Sequence, residues 1–175
     1  MGPFLVLPGW LNSGPGHWQS LWEAADPTFV RVAQRDWDAP EKDEWVATLD
    51  AAVRAAGPSA VLVAHSMGCL AVAHWAAGTQ SAIRGALLVA VPDPLGPQFP
   101  GAARGFAPVP MGRLPFATIV VVSDDDPYAS AAFSSDCARA WGAQIVSVGA
   151  RGHINGESGL GDWPEGRALV AELAS

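Results

Sequence analysis

Three stretches of the 175-residue chain contain residue types that can carry out chemistry. In VLVAHSMGCLAVAHW, residues 61–75, Ser66 stands between an apolar segment and a helix-forming one, with Ala64 and Gly68 two positions to either side. In IVVVSDDDPYAS, Asp124, Asp125 and Asp126 follow another apolar segment, and in GARGHING His153 follows a third. A serine hydroxyl is a poor nucleophile near neutral pH until a base accepts its proton, and that base needs a third group to orient it. Serine, then aspartate, then histidine supply that set, and the chemistry they suit is acyl transfer.

A nucleophile on a strand-to-helix turn needs small residues two before and two after it, the general pattern being G-x-S-x-G. Ala64 departs from that pattern by one methyl group, and no other serine in the chain has small residues at both positions. The order Ser66, Asp126, His153 is the Ser, Asp/Glu, His order of α/β-hydrolases and neither of the other common triad orders. Plainer readings exist for each residue. Ser66 could simply cap the helix that follows it, and the aspartates could form a solvated turn ahead of Pro127. One aspartate is expected to be functional and the other two to be turn residues.

The remaining histidines are weighed against His153. His74 lies eight residues beyond Ser66 on a helix, about 12 Å away along its axis, which excludes it as the base. His65 reads as structural, its side chain turned away from that of Ser66. His17, in the glycine-rich loop after the first strand, is placed at the lining of the site. No histidine pair has metal-ligand spacing and the two cysteines, Cys69 and Cys137, complete none, so no metal is expected. An oxyanion needs two backbone N–H groups. Met67, after the nucleophile, supplies one, and Trp10, in LPGWLNSGPGHW with Gly9 allowing close approach, supplies the other.

Positioning these groups requires a scaffold, and short apolar runs alternating with amphipathic ones argue for βαβ units and a largely parallel sheet. Six strands are expected, at 3–7, 29–34, 60–64, 84–90, 117–122 and 144–148. Residues 41–56 set Trp45, Leu49, Val53 and Ala56 on one helical face, between Pro40 and Gly57-Pro58. Further helices are expected at 16–24, 67–77, 130–141 and 165–173, with Gly78, Gly142 and Pro164 at stop or start positions. Residues 91–116 hold seven prolines and four glycines and must be a long loop. Phe99, Phe106, Val109 and Met111 could pack it down as one wall of a pocket, or it could be a stiff connection with no part in binding.

One domain spanning 1–175 suits this length and its half-apolar composition. A net charge of −7 with no Lys/Arg cluster argues against nucleic acid and anionic membrane partners. Two cysteines on expected helices are too few for a disulfide framework, which fits a reduced, cytoplasmic setting. The start, MGPFLVLPGW, reads as a first strand and as neither a secretory signal nor a membrane span.

Together LPGWLNSGPGHWQSLW, AHSMGC, SDDDPYAS and GARGHINGESGLGDWPEG resemble the small serine hydrolase family that includes retinoblastoma-binding protein 9 and its bacterial relatives. The likeness spans nearly the whole chain, and in that family an alanine at position 64 is ordinary. The resemblance implies a compact α/β-hydrolase without a large cap domain, a Ser-Asp-His triad and no cofactor. Carried over by motif, Ser66 is the nucleophile, His153 of GHIN the base and Asp126, the last acidic position before Pro-Tyr, the orienting acid, with Asp125 as the alternative. It also implies an esterase acting on a small-molecule acyl substrate. Small acyl groups are expected because no cap is inserted and bulky aromatics stand near the site. No protein partner follows from the resemblance. The competing reading is a binding module that kept the fold and lost catalysis, its eight tryptophans and proline-rich loop forming a partner surface. A nucleotide-binding Rossmann domain is excluded, since PGWLNSGPG after the first strand is neither G-x-G-x-x-G nor a P-loop.

Overall fold

Side chains alternate across a strand, so a strand buried on both faces reads as a continuous apolar run. In the structure, a computed structural model describing residues 2–175, the central strands are of this kind. The six strands are β1 (Phe4–Leu7), β2 (Phe29–Arg31), β3 (Val61–His65), β4 (Gly85–Val89), β5 (Ala117–Val122) and β6 (Gln144–Ser147). They form one parallel sheet in the order β2-β1-β3-β4-β5-β6. This is the α/β-hydrolase architecture expected from the sequence, with helices on both faces.

The alternation divides the core in two. Leu5, Leu7, Leu62, Ala64, Leu88 and Val120 face helices α2 (Lys42–Ala56), α3 (Met67–Gly78) and α4 (Ala131–Trp141). Val6, Val61, Val63, Leu87, Val89 and Val121 face α1 (Trp18–Ala25) and α5 (Pro164–Ala174), where the rings of Trp18, Trp22 and Trp163 pack together. Helix α3 is buried nearly all round, between the sheet and its neighbours, which explains its lack of a polar stripe. No helix among the described residues is long and apolar enough to cross a membrane.

Boundaries differ from expectation in a few places. The strand expected over 29–34 ends at Arg31: Val32 N still donates to Val6 O at 2.9 Å, but Gln34 turns inward and donates from Nε2 to Trp45 O. Gly78 closes α3 from within, and Thr79 is its cap. Gly142 caps α4 in the left-handed conformation and Pro164 opens α5, as expected.

The long loop is fastened to the body. Phe106 is fully buried against Trp45 and His74, and Phe106 O accepts from the His74 ring at 2.9 Å. Trp141 Nε1 donates to Pro110 O, and Arg104 exchanges main-chain bonds with the segment from Pro40 to Lys42. Of the four side chains proposed as a pocket wall, Phe99 alone borders the cavity beside Ser66. Phe106 and Val109 pack into the core instead, and Met111 is exposed, because the prolines hold successive segments at different depths.

Because all six strands run the same way, the segments after β1, β3, β4, β5 and β6 gather at one sheet edge. Chain order runs outward from β1 to β2 and returns at β3, so the sheet reverses direction beside Ser66, where open α/β sheets place their ligand sites.

Candidate active site

Ser66 occupies the turn between β3 and α3 with φ 53 and ψ −125, a strained conformation for a residue with a side chain. Its hydroxyl does not cap α3. The turn is possible because Gly68 lies against the end of β1: a Cβ there would fall 2.4 Å from Leu7 O and 2.9 Å from Pro8 O. Ala64 is accommodated, fully buried between Leu7 and Leu88 of the neighbouring strands.

The Ser66 hydroxyl donates to His153 Nε2 at 2.8 Å. On the other side of the ring, His153 Nδ1–H donates to both Asp126 oxygens at 2.9 Å. A proton on Nδ1 leaves Nε2 free to accept, which is the tautomer a general base requires. Asp126 Oδ1 also accepts from Tyr128 N at 2.9 Å, and the Tyr128 ring covers His153 at a centroid distance of 4.3 Å. Between the two aspartates left open by the sequence, Asp126 is the one on the histidine.

Asp125 is not an idle turn residue. It accepts from Gly152 N at 2.7 Å and from Ser123 Oγ at 2.9 Å, and these bonds hold its carboxyl below the usual carboxylate range. It is one of several clamps on the segment that carries His153. Ser123 Oγ accepts from Arg151 N, Ser158 Oγ donates to Arg151 O, Trp18 Nε1 donates to Ile154 O at 2.8 Å, and His65 Nε2 donates to His153 O at 2.8 Å. Sequence reasoning missed these partners. The signal available was the pairing of His17 with Trp18, an indole needing an acceptor, and the Ser-Asp run after β5. His65, expected to be structural with its side chain turned from that of Ser66, does hold the His153 main chain, but it also borders the same cavity and packs against the His153 ring at 4.9 Å.

After β1 the chain crosses directly over Ser66. A Cβ on Gly9 would fall 2.8 Å from Ser66 Cβ and 3.2 Å from both Met67 N and Ser66 Oγ. The turn closes with Asn12 N donating to Gly9 O, and Leu11 and Asn12 both have positive φ. Trp10 N and Met67 N donate to no other group among the described residues. Above them lies a cavity of about 180 Å³, walled by Trp10, Leu11, Met67, Phe99, Pro100 and Tyr128.

Two buried histidines beside the site are held neutral. Burial, with the charge of Arg31 and the proximity of His153 adding to it, pushes His17 down to about 4. Burial holds His65 well below the ordinary histidine range. Both thiols are likewise disfavoured as thiolates by burial: Cys69 is pushed up, and Cys137 is pushed up to about 11. No group of three His, Cys, Asp or Glu among the described residues is arranged to hold a metal ion.

A sequence model described as serine hydrolase matches residues 4–172. The chain belongs to the serine hydrolase family. Among solved structures, this serine hydrolase is similar to a YdeN-like hydrolase from Pectobacterium atrosepticum, with 31% identity, 98% of this chain and 90% of that chain covered, and a TM-score of 0.86. The ydeN gene product of B. subtilis is 20% identical over 99% and 98% of the two chains, with a TM-score of 0.81. A thermophilic esterase from Thermogutta terrifontis shares the fold at 17% identity, covering 100% and 91%, with a TM-score of 0.66. No curated protein matches by sequence. The protein is a hydrolase with the α/β-hydrolase fold.

Proposed function

We propose that this serine hydrolase cleaves carboxylic esters with small acyl groups through a catalytic triad of Ser66, His153 and Asp126. The observation that carries the reading is the unbroken line of hydrogen bonds from the Ser66 hydroxyl through both nitrogens of His153 to a buried carboxylate. Ser66 Oγ attacks the ester carbonyl carbon while His153 Nε2 takes its proton, and the carbonyl π electrons move to oxygen. Collapse of this intermediate breaks the bond to the alkoxy oxygen, which leaves with the proton from Nε2 as the alcohol. Water then attacks the acyl-enzyme and gives its proton to Nε2. The second collapse returns that proton to Ser66 and releases the acid. Asp126 fixes the ring orientation and stabilises the imidazolium formed twice per cycle.

Trp10 N–H and Met67 N–H are the proposed oxyanion donors. Their support is that neither is engaged elsewhere and that Gly9, the residue before Trp10, lies close against Met67 N and Ser66. Small acyl groups are supported by the cavity size, since an apolar cavity of roughly 150 Å³ holds a benzene and this one is about 180 Å³. A reduced, cytoplasmic setting belongs to the same proposal and rests on two buried, unpaired thiols.

The test is labelling by a fluorophosphonate probe together with turnover of p-nitrophenyl butanoate. Wild type should label and turn over, while Ser66→Ala and His153→Ala should do neither. Wild-type turnover in Ser66→Ala would defeat the proposal.

A further inference from the structure

Two asparagines, Asn12 and Asn155, border the cavity beside Ser66 from different loops. Their amide oxygens are already engaged. Asn12 Oδ1 accepts from Ser13 N at 2.9 Å and from Arg31 Nη1 at 2.8 Å, and Asn155 Oδ1 accepts from Glu157 N at 3.0 Å. Main-chain N–H and guanidinium groups can only donate, so these partners fix which amide atom is the oxygen. What each side chain has left to offer is its NH₂, and neither NH₂ bonds to another described residue.

A third donor stands at the same wall. His17 Nδ1 accepts from Gln19 N at 3.1 Å, which places the proton of the neutral ring on Nε2, and that buried atom has no partner. The fixed ring acceptor nearby, His65 Nδ1, belongs to the ring packed edge-on to His17 at 4.7 Å. No Asp, Glu, Lys or Arg borders the cavity among the described residues. A wall that presents donors and no cation matches uncharged oxygen acceptors better than a plain alkyl chain or a carboxylate, because donors that a bound ester would cover without pairing are costly and an anion would find no counter-charge.

We infer that the ester hydrolysed here carries, beside its scissile carbonyl, a second uncharged acceptor oxygen of the ether, keto or hydroxyl type, received by the amide groups of Asn12 and Asn155. The inference rests on the reading of Ser66 as nucleophile.

The experiment uses two isosteric pairs that exchange one methylene for an ether oxygen: p-nitrophenyl methoxyacetate against p-nitrophenyl butanoate, and 2-methoxyethyl acetate against butyl acetate. Each kcat/KM is divided by the ester's own rate with hydroxide, which removes intrinsic reactivity. In at least one pair the oxygenated ester should be favoured roughly two- to tenfold, the worth of one or two hydrogen bonds. Asn12→Asp and Asn155→Asp keep an oxygen for Ser13, Arg31 and Glu157 but remove the NH₂, and one or both should abolish that preference. Parity in both wild-type pairs, or a preference that survives both variants, overturns the inference. Butanoate turnover that depends on Ser66 but shows no oxygen preference defeats the inference alone. Absence of Ser66-dependent turnover with all four esters defeats the underlying reading as well.

Discussion

His65 Nε2–H donates to the main-chain carbonyl of His153 at 2.8 Å, so the residue that precedes Ser66 holds the backbone of the residue facing Ser66. The bond closes a short ring through Ser66 Oγ and His153 Nε2 and thereby sets their separation. His65→Phe keeps a ring in the site but removes the donor. It should slow fluorophosphonate labelling roughly tenfold to a hundredfold, since misplacement of reacting groups by about 1 Å costs up to that much. His65→Gln retains an N–H and should recover part of the rate. Equal labelling by all three proteins would show that the bond does not position the base.

The two neighbouring aspartates should separate in effect. Asp126→Asn favours the wrong imidazole tautomer and should lower kcat by roughly 10³ to 10⁴. Asp125→Ala removes the acceptor of Gly152 N and Ser123 Oγ and should lower kcat far less, through a loosened His153 segment. Steady-state kinetics on p-nitrophenyl butanoate read both, and the reverse ranking would move the triad acid to Asp125.

Gly68 and Gly9 support different properties. A methyl at Gly68 meets main-chain atoms of β1 and its exit, which cannot retreat, so Gly68→Ala should cost about 3 kcal/mol in urea unfolding or prevent folding. A methyl at Gly9 meets Ser66 Cβ and Oγ and Met67 N, at the proposed reacting centre. Gly9→Ala should leave a folded protein whose labelling rate falls at least tenfold.

Stability should depend on pH through the buried histidines. The folded pKa of His17 is about 4, below the value near 6.5 of the unfolded chain, so the unfolded state binds more protons between those limits. The neutral-state advantage is complete above about pH 6.5 and shrinks as pH falls toward 4, by roughly 2 kcal/mol at pH 5. His65 acts in the same direction. Urea unfolding at pH 7 and pH 5 should show a smaller acid loss for His17→Asn, which can keep the cap on Gln19 N without a titrating ring. Parallel losses in the two proteins would contradict a neutral buried His17.

Strand and helix positions were legible because the sheet is buried on both faces and its strands stand out as short apolar runs between glycine and proline. That Ser66, an aspartate after β5 and His153 meet at one edge was legible because parallel strands deliver their following residues there, which makes chain order a guide to spatial order. Choosing between Asp125 and Asp126 was not possible from spacing, since adjacent residues on a turn point in different directions. Likewise His65 and Trp18 find their acceptors on a segment about 90 to 140 residues away, at His153 O and Ile154 O. Such bonds depend on the depth at which two loops meet, and no periodicity records that depth.

The fastening of residues 91–116 bears on how a substrate arrives. Swinging this strap aside would withdraw Phe106 from the core, at a cost of about 3–5 kcal/mol if its full burial were lost, and would also break the bonds from His74 and Trp141. Phe99 and Pro100 therefore form a standing doorway to the Ser66 cavity. No movement of the strap is then needed to open the Ser66 cavity, and the spacing of Phe99 and Pro100 from the facing wall should govern which molecules reach Ser66.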